Sequence, residues 1–199
     1  VGGAAGLRFS ADGGATWRAA EGDLAWEAIY SIALHAPSGM FYVGGSQWAY
    51  RSVDGEHWEL CREGLPDGPI WSLRIHPANP HVVYAATQQG VFVTGDGGDH
   101  WYPSSQGLPP QEPVHGLLLD PGASRRLLAS TGLGAFVSTD AGITWQALAV
   151  APRQAIDAAH VIDALHGQNE AAGWALWSLL EGVASTFDPG VMLDGARVL

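Results

Sequence analysis

Four carboxylates in this 199-residue chain each stand two residues after a hydroxyl and a few before an indole: Ser10-Ala-Asp12-Gly-Gly14-Ala-Thr16-Trp17, Ser52-Val-Asp54-Gly55-Glu-His-Trp58, Thr94-Gly-Asp96-Gly-Gly98-Asp-His-Trp101 and Ser138-Thr-Asp140-Ala-Gly142-Ile-Thr-Trp145. A carboxylate and a hydroxyl so placed accept hydrogen bonds from nearby amides, and glycine permits the positive φ of a sharp reversal. The chemistry is that of a clamped turn. A calcium loop would instead alternate oxygen ligands and close on a distant Glu. Neither Asp54 to Glu56 nor Asp96 to Asp99 does so, and no metal or cofactor site is expected.

Composition narrows the other classes. The net charge is −11, with nine Arg and no Lys, so a phosphate backbone meets repulsion and nucleic-acid binding is not expected. Cys61 is the single cysteine; it can form no internal disulfide, belongs to no zinc pattern, and reads as a small filler on a strand. No stretch reaches the ~20 apolar residues of a membrane span; Ala171 to Ala184 is the nearest and contains Glu181. The chain begins at Val without a signal peptide and opens on the end of a repeat, which suggests a piece of something longer.

The aspartates recur at steps of 42, 42 and 44 residues, the period of a four-stranded propeller blade. Other landmarks keep the step: Gly64-Leu65-Pro66 returns as Gly107-Leu108-Pro109, and His35, His76 and Asp120 close apolar stretches. The content of 27 Gly and 12 Pro fits many turns between short strands.

Within a unit, alternation predicts a first strand at 29–34, 70–75 and 114–119 and a second at 40–43, 82–86 and 127–130. A third strand carries Tyr50, Phe92 and Phe136 into the signature turn, and the indole begins a fourth, outer strand. Each Trp is expected to lie over its own hairpin, burying roughly 150 to 250 Å², at most about 4 to 6 kcal/mol gross. The fold class is therefore all-β, with blades at about 21–61, 62–104 and 105–149 and the outer half of another in 1–20.

The four signatures resemble Asp-boxes, or bacterial neuraminidase repeats, over residues 1 to about 148. Such repeats occur in β-propellers of sialidases, xyloglucan-type glycoside hydrolases, sortilin-like receptors and the photosystem II assembly factor family. The second copy departs by lacking one residue between Asp54 and Gly55, which predicts a tighter turn. The resemblance implies a structural role at the periphery for the boxes (Ser10, Asp12, Gly14, Trp17; Ser52, Asp54, Trp58; Thr94, Asp96, Gly98, Trp101; Ser138, Asp140, Gly142, Trp145). It also suggests a bacterial, secreted protein in the periplasm or outside the cell.

Any ligand is then expected on the opposite face, where the linkers 19–27, 62–69 and 104–113 enter the first strands at Tyr30, Trp71 and His115. The turns between second and third strands join them there, and in these Trp48 replaces what are elsewhere Gly90 and Gly134. Trp26, Trp48 and Trp71 offer a stacking surface for a sugar or an apolar side chain; packing between blades accounts for the same residues. Arg74, where neighbouring copies have Ala33 and Leu118, suits a carboxylate in the channel or a structural ion pair. A retaining glycosidase needs two facing carboxyl groups, and a sialidase-like enzyme an arginine triad with a Tyr/Glu pair. Glu27, Asp67 and Glu112 sit in loops without evident partners, and the eight histidines are scattered, so no catalytic residue is assigned.

After Val150 the repeat stops. Ile156, Ala159, Ile162 and Leu165 predict an amphipathic helix ended by Gly167, and 170–183 a second helix, with 174–180 as a buried strand the alternative. Asp188-Pro-Gly190 is a turn before a last short strand at 191–193 or 196–199. Either a missing segment completes the ring or this tail closes a four-bladed one; the break in the repeat favours the former. The leading expectation is a binding or scaffold module for protein or glycan. The alternatives are a fragment of a secreted glycoside hydrolase with its catalytic residues elsewhere, and a spacer.

Overall fold

The structure, a computed structural model, describes residues 1–120, 122–123 and 125–148. The helices, turn and strand expected after residue 150 lie outside the described residues. Four antiparallel sheets follow one another along the chain. The first holds β1 (Gly2–Gly3), β2 (Gly6–Phe9) and β3 (Arg18–Ala19), three strands where the sequence suggests half a unit. The second holds β4 (Ile29–His35), β5 (Met40–Gly45), β6 (Ala49–Ser52) and β7 (Glu59–Cys61). The third holds β8 (Ile70–His76), β9 (Asn79–Thr87), β10 (Gly90–Thr94) and β11 (Tyr102–Pro103). The fourth holds β12 (Val114–Leu119), β13 (Leu127–Thr131), β14 (Gly134–Ser138) and β15 (Gln146–Ala147). One 3-10 turn, Gly22–Ala25, sits in the linker between the first two sheets.

β9 begins earlier than alternation predicts, at Asn79 inside the expected Pro77 to Pro80 loop, because His76 pairs with Asn79 across a register shift.

The core lies between sheets. Leu7, Leu24, Ile29 and Tyr50 fill the first interface, Tyr42, Ile70, Leu73 and Trp101 the second, and Tyr84, Val114, Leu117 and Trp145 the third. Strand alternation explains the sharing, since successive residues of β9 face opposite neighbours: Val83 and Ala85 toward the second sheet, Tyr84 and Ala86 toward the fourth. The first strands β4, β8 and β12 lie side by side. Leu73 N–H donates to Ser31 Oγ at 2.9 Å and Leu117 N–H to Ser72 Oγ at 3.4 Å, so each inner strand is tied to the next. These are wedges arranged as blades of a β-propeller.

The indoles reach beyond their own hairpins. Trp101 and Trp145 lie in the cores shared with the preceding blade, and their amides donate to the Glu63 and Gln106 carbonyls at 2.8 Å. The recurrent glycines explain the fit, because a Cβ at Gly64 or Gly107 would overlap the Trp101 or Trp145 carbonyl. Both rings are 2–3% exposed, whereas Trp17, with no described blade before it, is 45% exposed. Trp58, on the short second box, stays on its own hairpin with Nε1 donating to the Gly55 carbonyl at 3.2 Å.

Candidate functional site

In an up-and-down blade, the turns joining strands one to two and three to four share one end. The two-to-three turns and the linkers share the other. The boxes occupy the first end. In the first box, Ser10 Oγ donates to Asp12 Oδ1 at 2.7 Å and accepts from Gly14 N–H at 2.8 Å, while Thr16 gives its amide and hydroxyl to the two Asp12 oxygens. Ser138, Asp140, Gly142 and Thr144 repeat this set. Thr16 and Thr144 hold the Asp12 and Asp140 carboxyls down at about 2. In the third box, Gly98 N–H donates to Thr94 Oγ1 at 2.9 Å, and His100 replaces the threonine, its Nδ1 lying 3.0 Å from Asp96 Oδ2. The shortened second box closes one residue sooner, with Gly55 N–H on Ser52 Oγ at 2.8 Å and His57 Nδ1 at 2.7 Å from Asp54 Oδ2. Bonding to His57 holds Asp54 well below the usual carboxylate range, and the His100 amide leads in doing the same for Asp96. Both imidazoles are raised in return.

The other end carries the residues proposed from sequence for a ligand. Each inner strand shifts register at the same place, between Ile29 and Ser31, Ile70 and Ser72, and Val114 and Gly116. The residues the ladder steps over are Tyr30, Trp71 and His115. A bulge bends its strand and re-aims the side chain it carries, so three adjacent blades present one ring each at equivalent positions of the mouth. The Trp71 and His115 rings lie 4.7 Å apart, tilted by 38°, and Tyr30 is about half exposed.

The remaining predicted residues separate. Trp26, after the 3-10 turn, is 86% exposed. Trp48 packs on the Leu7, Leu24 and Tyr50 cluster, with the Arg62 guanidinium 5.9 Å above its ring. Among the described residues no ring contact joins Trp26 or Trp48 to Trp71. Arg74 pairs in register with Tyr84, on the face toward the next blade, and its Nη1 donates to the Leu73 carbonyl at 2.8 Å. Nor is Glu27 without partners: it accepts from Tyr50 OH at 2.5 Å and Gln47 N–H at 2.9 Å, pinning the linker to the 45–48 turn. In the next blade Gln88 Nε2 donates to the Asp67 carbonyl at 2.6 Å to the same effect. Among the described residues no cluster of three or more His, Cys, Asp or Glu could hold a metal ion, and no helix is long and apolar enough to cross a membrane.

The BNR/Asp-box repeat family model matches residues 136–147, which enclose the fourth signature. The fourth signature is thus an Asp-box repeat, and the other three share its hydroxyl-to-amide bond. No curated protein matches the sequence, but solved structures match the fold. An ancestral GH74 enzyme superposes with a TM-score of 0.62 at 19% identity, over 74% of this chain and 22% of its own. The GH74 xyloglucanase from Xanthomonas campestris gives 0.55 at 18%, over 72% and 24%. The extracellular domain of a putative one-component system from B. thetaiotaomicron gives 0.61 at 19%, over 77% and 21%. At these identities the likeness is one of fold, and this chain spans about a fifth to a quarter of the length of each.

Sequence reasoning missed two tyrosines of the Asp-box propeller. Tyr42 OH donates to the Pro80 carbonyl at 3.0 Å and the Gly97 carbonyl at 3.2 Å, and Tyr84 OH to the Ala141 carbonyl at 3.2 Å. Each hydroxyl thus reaches the box of the next blade. Their repetition 42 residues apart was the available signal.

Proposed function

We propose that this chain is a non-catalytic binding module that receives a glycan at the mouth opposite the boxes. The observation that carries the reading is the row of bulged rings, Tyr30, Trp71 and His115. A flat ring with a polar edge covers the C–H face of a sugar while hydrogen-bonding its hydroxyls, and a bulge is a device for aiming such a ring. Trp26 extends exposed aromatic area from the neighbouring linker. The position in the cell that fits is the periplasm or the exterior, in line with the extracellular domain among its structural neighbours.

Calorimetric titration of the whole chain with soluble β-glucans, xyloglucan included, tests the reading. Saturable binding that Trp71→Ala weakens at least tenfold, with the fold kept, is expected. Binding untouched by Trp71→Ala, or captured only by protein partners, would remove the glycan reading.

A second reading is a fragment of a glycoside hydrolase, favoured by the likeness to GH74 enzymes four to five times longer than the matched region. Release of reducing sugar by the chain alone, or by the longer protein that contains it, would establish that reading.

A further inference from the structure

We propose that the far face of the last blade is a docking surface for the chain's own residues 149–199, and not for a further Asp-box blade. Two polar bonds tie the second blade to the third, and two tie the third to the fourth. Ser31 and Ser72 accept from the next inner strand, and Tyr42 and Tyr84 donate to the next box. Strand pairing fixes the matching positions without ambiguity. Ser31 pairs with Gly44, Ser72 with Ala86 and Gly116 with Ser130; Ala33 pairs with Tyr42, Arg74 with Tyr84 and Leu118 with Leu128. The last blade therefore has Gly116 and Leu128 where its predecessors have serine and tyrosine. An approaching Asp-box would find neither the acceptor for its inner strand nor the donor for its turn, and both would be left unsatisfied in a dry interface.

The same face is apolar, with two residues buried at its centre. Leu128 is 1% exposed and Ser130 2%, and Ser130 Oγ is buried with no described hydrogen-bond partner. The apolar residues described around Leu128, namely Leu118, Ala135, Val137 and Leu148, all belong to this sheet or its exit. The chain leaves as a continuation of the outer strand, Leu148 N–H donating to the Ala135 carbonyl at 2.8 Å, with the Leu148 side chain packed on this face. The sequence beyond Leu148 carries Ile156, Ala159, Ile162, Leu165, Trp174, Trp177 and Leu180 and no Asp-box signature. An apolar face stripped of blade-joining groups thus meets an apolar segment that is not a blade.

Paramagnetic relaxation in the whole chain tests the assignment. With Cys61→Ser, a spin label is placed at exposed Gln146→Cys beside the face, or at Arg18→Cys on the first sheet as control. The expected result is loss of amide signal intensity within 160–183 from the first label and not from the second. That loss should disappear when Val137→Glu puts a charge on the face, and it should be absent when labelled unenriched chains are mixed with unlabelled enriched ones. Loss of equal depth in the mixed sample would assign the face to a second copy and overturn the proposal. No loss in either sample, loss from both labels, or loss that survives Val137→Glu would overturn the proposal.

Discussion

The Nε1–H of Trp145 donates to the backbone carbonyl of Ser104 at 2.7 Å, so the last box is fastened to the outer strand of the blade before it. Ser104 returns the bond, its Oγ donating to the Gly142 carbonyl at 2.7 Å. The box is therefore part of an interface as well as a turn.

Removing that indole should cost far more than removing its counterpart at the start of the array. Trp145→Ala is expected to destabilise by about 3 to 5 kcal/mol, the range for a buried aromatic. Trp17→Ala, at an exposed ring, should stay within about 0.5 kcal/mol. Urea midpoints of the two variants, at constant slope, decide it.

Gly107→Ala should be worse than Gly13→Ala. Both glycines have positive φ, 95° and 71°, which costs an L-residue roughly 1 to 2 kcal/mol. Only at Gly107 would the new Cβ also strike backbone, the Trp145 carbonyl, whereas Gly13 faces open space. Thermal unfolding of the pair should separate the two contributions.

The two histidine boxes should respond to pH from both sides. Because Asp12, Asp54, Asp96 and Asp140 all have lowered folded values, their contribution is present above the ordinary 3.8 and is lost as pH falls through the folded value, about 2 for Asp12 and Asp140. His57 and His100 are raised above 6.5, so their contribution is present below 6.5 and is lost as pH rises through the folded value. Imidazole proton shifts should titrate above 6.5 for both rings, and Asp54→Asn should return His57 alone to the ordinary range. A His57 midpoint unmoved by that substitution would show the bond to be absent in solution.

Cys61 should resist thiol reagents until the protein unfolds. Burial pushes its thiol up to about 12, so almost no thiolate exists at neutral pH. Labelling at the rate of an unfolded control would contradict the packing seen against Gly98.

The blades were legible because a period of 42 to 44 residues with Pro and Gly turns leaves few other architectures, and the strands fall close to where alternation puts them. Contact across that period was harder to read. Nothing local to Tyr42 indicates a carbonyl 55 residues away, and nothing local to Trp101 shows that its ring is shared with the blade before. At the mouth, Tyr30, Trp71 and His115 were identifiable as equivalent positions, yet the register shift that aims them depends on how β4, β8 and β12 meet their partners. Glu27 looked solitary because its partners, Ser46, Gln47 and Tyr50, stand 19 to 23 residues further along the chain. Trp48 drew notice as a tryptophan in place of glycine, and interior packing with Arg62 over its ring is where that replacement leads.

The backward reach of Trp101 and Trp145 has a consequence for synthesis. When either indole leaves the ribosome, the strand and linker it must grip are residues already made, as are the serines that receive the new inner strand. A growing chain can thus add blades one at a time onto finished neighbours, with no step that waits for downstream sequence to supply the anchor.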